Sequence, residues 1–380
     1  MLPRMHSGPH RTGPDSRRRR QDKLSQGIFA CGEKLGTLQL DDVTKSSTLA
    51  FLILLISGFC PAQQMSSGVS VENLTNAGHW KRARQIVEAR LKANPRDAFA
   101  LYMSSKVNAS FGNLDKALDQ AQKSVALESR NPDYLAQLAE MHVRLADRSS
   151  VVKQVLYVRL FKKEVDAALA LNPRHVDALL VDAMFLSRAP VIAGGDRKRA
   201  RALAQQLTGF DTAWGYMLQA RLAEQEKDDA RTEAFLRQAV DSNPGLYLPR
   251  YYLAKFHGAT AANRRLDAAE KLARELIQLD PGQSGGYDIL ARVFAQQHRW
   301  QDLDAVLAKS ENSVPDDLSP YYFAANILIH SAIEPARAER YLNKYLTQEP
   351  EGRQPSVSQG RELLVFLKVP GHPLPPDRPS

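Results

Sequence analysis

The chain holds 380 residues, 43% hydrophobic and 7% aromatic, with a formal net charge of +9. Its apolar content can build a large core, and the abundance of Ala, Leu, Arg, Gln and Glu favours helix. Residues 1–62 carry nine Lys/Arg and five Asp/Glu, so the rest carries 42 and 37, too even and too dispersed for a nucleic-acid-binding face.

The first element is a leader. Arg17–Arg20 form a basic cluster, and Lys45 then precedes the apolar run Leu49–Cys60 and a small-residue exit at Pro61-Ala62. A positive residue, about a dozen apolar residues and small residues at the exit form a secretory signal, cut near Ala62. The run is short for a spanning helix, which needs about 20 residues. Residues 1–42 are long and irregular for such a signal, so translation is expected to start near Val43. Phe59 stands where a bacterial lipobox needs a small residue, which argues against lipidation of Cys60. Cys31 and Cys60 are the two cysteines. A chain cut after Ala62 therefore has neither a disulfide nor a thiol nucleophile.

From residue 63 the sequence repeats. Helix stops recur at Asn94-Pro95, Asn172-Pro173, Asn243-Pro244 and Asp280-Pro281, and Pro315 and Pro350 continue the beat. Proline lacks the N–H that a helix needs and restrains the residue before it. Twelve residues before each stop lies one helical position: Ala83, Ala117, Phe161, Ala200, Thr232, Ala269, Leu303 and Ala338. The spacings are 34, 44, 39, 32, 37, 34 and 35 residues, the beat of a helix–turn–helix repeat in which a small side chain lets paired helices approach.

The copy starting at Tyr287 continues with Leu290, Ala291 and Phe294, then Trp300, Leu303, Leu307 and Pro315. Ala338, Leu342, Tyr345 and Pro350 keep register in the last copy. The second has Gly112, Leu114, Ala117 and Ala121, and the first has Gly78, Trp80, Ala83, Val87 and Pro95, with a helix expected from near Met65. Over about residues 64–350 this pattern resembles the tetratricopeptide-repeat (TPR) family, exported bacterial type. The resemblance implies an all-α, right-handed superhelical solenoid of about eight antiparallel helix pairs over 63–350. A capping helix at Gln354–Lys368 and a Pro-rich tail complete residues 351–380.

Two copies depart from the pattern. The third is about ten residues too long, which predicts a second helix over roughly Val151–Leu171, and its Phe161 replaces the usual alanine, so that hairpin is expected to splay or bend. The fourth carries Ala189-Pro190-Val191-Ile192-Ala193-Gly194-Gly195-Asp196 between its helices. The two glycines suit a turn with positive φ, and Asp196 suits a helix cap.

The chain has no Gly-rich phosphate loop and no H-E-x-x-H. The histidines after the leader (His79, His142, His175, His257, His298, His330, His372) are scattered rather than clustered as metal ligands. The expectation is a non-enzymatic protein with no cofactor and no metal.

In a TPR stack the first helix of each pair lines a concave groove. The resemblance places Lys106, Arg221, Lys255 and Arg292 on that surface, with Tyr102, Met217, Tyr251 and Asp288 one turn earlier. Basic groups offer charge-assisted hydrogen bonds and rings offer buried area, which suits an acidic protein or peptide partner. Glu140 and Ile327 interrupt the ladder. The leading reading is an exported scaffold or adaptor in the cell envelope, periplasmic or secreted. One alternative is a cell-wall or polysaccharide-associated factor stacking sugars on Tyr251, Tyr252, Tyr321 and Tyr322. Another is a scaffold anchored in the membrane by an uncleaved Leu49–Cys60.

Overall fold

The computed structural model describes residues 70–259, 265–369 and 373; the leader, the expected start near Met65 and most of the Pro-rich tail lie outside them. The described residues are helical, with no strand among them. Eight hairpins follow one another: α1 (Val71–Asn76) with α2 (Trp80–Ala93), α3 (Ala98–Ser110) with α4 (Leu114–Leu127), α5 (Pro132–Ala146) with α6 (Val151–Leu171), and α7 (Val176–Arg188) with α8 (Arg197–Thr208). Then come α9 (Thr212–Gln225) with α10 (Asp229–Ser242), α11 (Tyr247–Ala259) with α12 (Leu266–Leu279), α13 (Gly285–Gln296) with α14 (Trp300–Ser313), and α15 (Ser319–His330) with α16 (Pro335–Tyr345). A last helix, α17 (Val357–Lys368), starts three residues later than expected, because a capping box between Ser356 and Gln359 sets its beginning.

Three of the four Asn-Pro and Asp-Pro stops are side-chain turns. Asn94, Asn172 and Asp280 each accept, through Oδ1, the N–H two residues on, at 3.1, 3.0 and 2.9 Å. The chain therefore leaves the helix with a backbone donor already satisfied. The position twelve residues earlier is the close-approach point of each pair. All eight side chains there, from Ala83 to Ala338, are at most 3% exposed.

Each first helix packs on its own second helix and on the second helix of the hairpin before. First helices also pack on one another (α3 on α5, α5 on α7, α7 on α9, α11 on α13, α13 on α15), whereas second helices meet through long polar side chains, as where Arg337 and Tyr341 of α16 reach Asp304 of α14. The array therefore bends with its first helices inside.

The third hairpin corrects one expectation. Phe161 is fully buried, with its ring centroid 4.6 Å from that of Phe185 on α7. The pair α5/α6 does not splay: it stays closed, tied by His142 Nδ1 to Glu164 Oε2 at 2.6 Å. Room for the ring opens instead between α6 and α7, which pack less closely than α5 and α6. In the fourth hairpin, Gly194 has φ +93° as expected, but Gly195 serves another end: a Cβ there would lie 1.9 Å from the Ala189 carbonyl oxygen. Asp196 caps α8 by accepting the Arg199 N–H at 2.9 Å.

The two ends of the repeat array meet. The Glu351 carboxylate accepts the Lys81 N–H at 2.9 Å, and Lys81 Nζ donates to the Glu349 carbonyl at 2.8 Å. Arg84 forks onto the Glu349 carboxylate, and Arg82 pairs with Asp316 at 2.7 Å. The Arg353 N–H donates to the Ser110 carbonyl at 2.8 Å, with its guanidinium over Trp80. Only glycine fits at 352, since a Cβ would lie 2.2 Å from Ser110 Oγ. Arg353 takes φ +67°, a left-handed conformation that contacts on both sides hold in place. One turn of the superhelix thus closes on itself, hairpins one and two lying against the loops that follow hairpins seven and eight.

Candidate functional site

Two adjoining chambers open on the inner face and share Leu180 and Met184 of α7. The larger, about 910 Å³, lies between α5, the first turns of α6, α7 and the 190–193 turn. The smaller, about 600 Å³, lies where α9 and α11 stand apart, with Leu236 of α10 at its side. Trp214, Met217, Tyr252 and Phe256 give it apolar walls, and Arg221, Glu224 and Lys255 give it charge.

Met217, Arg221 and Lys255, all expected in the groove, line this smaller chamber. Arg221 is exposed and pairs with Glu224 at 2.5 Å. Burial pushes the Lys255 ammonium below its ordinary pKa, and the positive charges of Arg292 and Arg221 push the same way. The three cations therefore share one field. Arg292 lies with its guanidinium 3.7 Å above the Phe323 ring.

Asp288 does not present itself to the groove. It is 2% exposed and accepts the Ser319 hydroxyl at 3.0 Å. Burial raises its carboxyl well above the usual range, and the nearby Asp317 adds to that, while Arg292 and Lys255 pull the other way. Tyr251 is half-buried against Tyr252, and burial raises its phenol. Tyr102 and Lys106 lie hairpins away. Tyr102 stacks on Tyr134 at 5.0 Å, and Lys106 Nζ lies 3.3 Å from the Tyr102 hydroxyl. The eight expected residues thus divide into a central group around Lys255 and a separate pair on α3.

Sequence reasoning missed the apolar lining: Val143, Leu180, Val181 and Met184. A signal was present. On α7, Leu179, Ala183 and Leu186 are buried in the core, whereas Leu180, Val181 and Met184 pack against it only in part and keep apolar surface for the chamber. Of the four tyrosines weighed for sugar stacking, Tyr322 is buried against Tyr345 and Tyr252 is 38% exposed. Two histidines have structural work: His142 ties α5 to α6, and His175 caps α7. His175 Nδ1 accepts the Ala178 N–H at 3.1 Å as a helix cap, so Nε2 carries the proton donated to Asp133 at 2.9 Å. No group of three metal-ligating side chains occurs among the described residues.

No family model matches the chain. It is 22% identical over 233 residues to the human protein O-mannosyl-transferase TMTC3, covering 61% of this chain and 24% of that protein. It is 32% identical over 78 residues to a pentatricopeptide repeat-containing protein of Arabidopsis thaliana, covering 20% of this chain and 15% of that protein. The chain thus spans a quarter or less of the curated relatives it matches. Among solved structures, yeast Tom70 superposes with a TM-score of 0.52 at 13% identity, over 79% of this chain and 60% of that one. The shared fold, the hairpin beat and the inward first helices are those of a TPR-like solenoid.

Proposed function

We propose that this chain is a non-enzymatic scaffold of the cell envelope that holds a partner protein against its inner face. The observation that carries the reading is the pair of adjoining apolar chambers, the smaller lined by Arg221 and Lys255, with the charge of Arg292 acting on Lys255. Apolar floors supply buried area, and cations at the edge select acidic groups. Yeast Tom70 supports the fold on which this reading stands, and the partner is argued from the chambers alone.

The test is site-specific photo-crosslinking in cells. A photoreactive phenylalanine at Met217 is expected to capture a discrete partner, whereas one at Gln238, on the exposed side of α10, is not. Arg221→Glu in the same chain should reduce capture about tenfold, the loss of one charge-assisted contact of about 1.4 kcal/mol. Equal capture at both positions would defeat the reading.

Export is proposed from the leader alone. Among the described residues no helix is long and apolar enough to cross a membrane. The chain recovered from its own cells is expected to begin at Gln63 by intact mass. A chain recovered from membranes still carrying residues 49–60 would favour the anchored alternative.

A further inference from the structure

We propose that the larger chamber is a cradle for one amphipathic helix of a partner protein, apolar on the face that enters and acidic along its edges. This rests on the inner face being a protein-binding surface, and it assigns a distinct section of that face a distinct kind of ligand.

The cradle is made by the two departures from the repeat. α6 has 21 residues where the other second helices have 11–14. Its additional turns carry Val151, Val152, Val155 and Leu156, exposed at 74, 82, 49 and 54%. The turn before α8 adds Val191 and Ile192, exposed at 85 and 100%. These six are more than half of the eleven large hydrophobic side chains exposed among the described residues, so the apolar surface is concentrated here, and Val151, Val155 and Ile192 among them line the chamber itself. Val151, Val155 and Val158 recur at the spacing of one helix face and line the chamber together with Ile192. Leu180 and Met184 of α7, both half-buried, add to its apolar lining. An apolar chamber of this size takes the anchor side chains of a helix spaced by three and four residues.

Charge decides the occupant. Arg159 and Arg188 line the cradle, and Lys153 stands on the same stretch of α6; none has an ion-pair partner among the described residues. Residues 148–163 contain five basic side chains and no acidic one. Glu140 in the lining is already held by Arg144 at 3.4 Å, leaving Asp147 as the one acid there. A second copy of this chain would bring like charges together. A flat bilayer could touch the exposed Val152, Leu156 and Ile192 but could not reach the half-buried Leu180 and Met184. An acidic-edged helix satisfies both the chamber and its cations.

The test uses the full chain and a fluorescein-labelled 18-residue synthetic peptide. Its leucines recur at helical spacing and glutamates run along both edges. Two controls accompany it, one with lysine edges and one with a central proline that forbids the helix. The glutamate-edged peptide is expected to bind at least tenfold more tightly than either control by fluorescence anisotropy. Val155→Glu should weaken it at least tenfold, and Arg159→Glu with Arg188→Glu should shift preference to the lysine-edged peptide. Far-UV circular dichroism keeps loss of fold apart from loss of binding. Equal binding of the proline peptide, or indifference to both sets of variants, would overturn the proposal. So would sedimentation of the protein with phosphatidylserine/phosphatidylcholine vesicles that Ile192→Glu abolishes while Val155→Glu leaves peptide binding intact. Capture at Met217 reads the smaller chamber separately: peptide failure with capture retained removes the cradle alone, and capture lost with peptide binding retained removes only the broader reading.

Discussion

Replacing Phe161 with alanine is expected to destabilise the protein by about 3–5 kcal/mol, although alanine is what the repeat pattern prefers at that position. In most of the other hairpins a small side chain there lets two helices meet directly. In the third, the backbone has already opened toward α7, and the phenyl ring fills the gap, fully buried and 4.6 Å from Phe185. Truncation leaves a cavity that the neighbours cannot close without moving whole helices, so the transfer and cavity costs add. Urea titration followed by circular dichroism measures the change. A loss below about 1 kcal/mol would mean that α6 and α7 collapse onto the vacated space, as in an ordinary repeat.

The second large effect is expected from Glu351 where the ends meet. Its carboxyl is 3% exposed, and burial raises its pKa from 4.5 to about 7, with Asp317 and Asp316 acting in the same direction and the Lys81 N–H and charge opposing. The folded-state value is the higher one, so the group takes up a proton on folding. Its stabilising contribution is then full below about pH 4.5 and is lost as pH rises through 7. The gap corresponds to about 3 kcal/mol. Glu351→Gln removes the ionisation and keeps an oxygen for the Lys81 N–H. The variant is therefore expected to be more stable than the parent at pH 8, with the difference shrinking steadily toward pH 5. Paired urea melts across that range provide the check. A difference that is flat with pH would show that the carboxylate is solvated when the ends meet.

The repeat and its punctuation were legible because both are local. A proline stop, an Asx turn and a buried small residue each act within one hairpin, so period and composition carry them. The bounds of α6 were legible for the same reason: ten additional residues with no breaker can only lengthen a helix. The groove was half legible. Position along a first helix brings Met217, Arg221 and Lys255 to one chamber, yet the same position on α13 is buried at Asp288, because Ser319 of the next hairpin reaches over it. Facing direction at a fixed offset depends on how the following hairpin is rotated, and that rotation has no signature inside the repeat.

The meeting of the ends was not legible at all. Lys81 and Glu351 are 270 residues apart, and their approach sums small rotations over eight hairpins. Its consequence concerns how the protein comes apart. In an open array each unit feels only its neighbours, so terminal units, having one neighbour each, fray first and melting spreads inward. Here the amino-terminal unit also leans on the carboxy-terminal loops, and neither extremity is a free end. Loosening one exposes the other, which drives the molecule toward all-or-none unfolding. The same link must be made late in folding, at the entropic cost of a very long loop, so this chain combines the local assembly of a repeat protein with the cooperativity of a globular one.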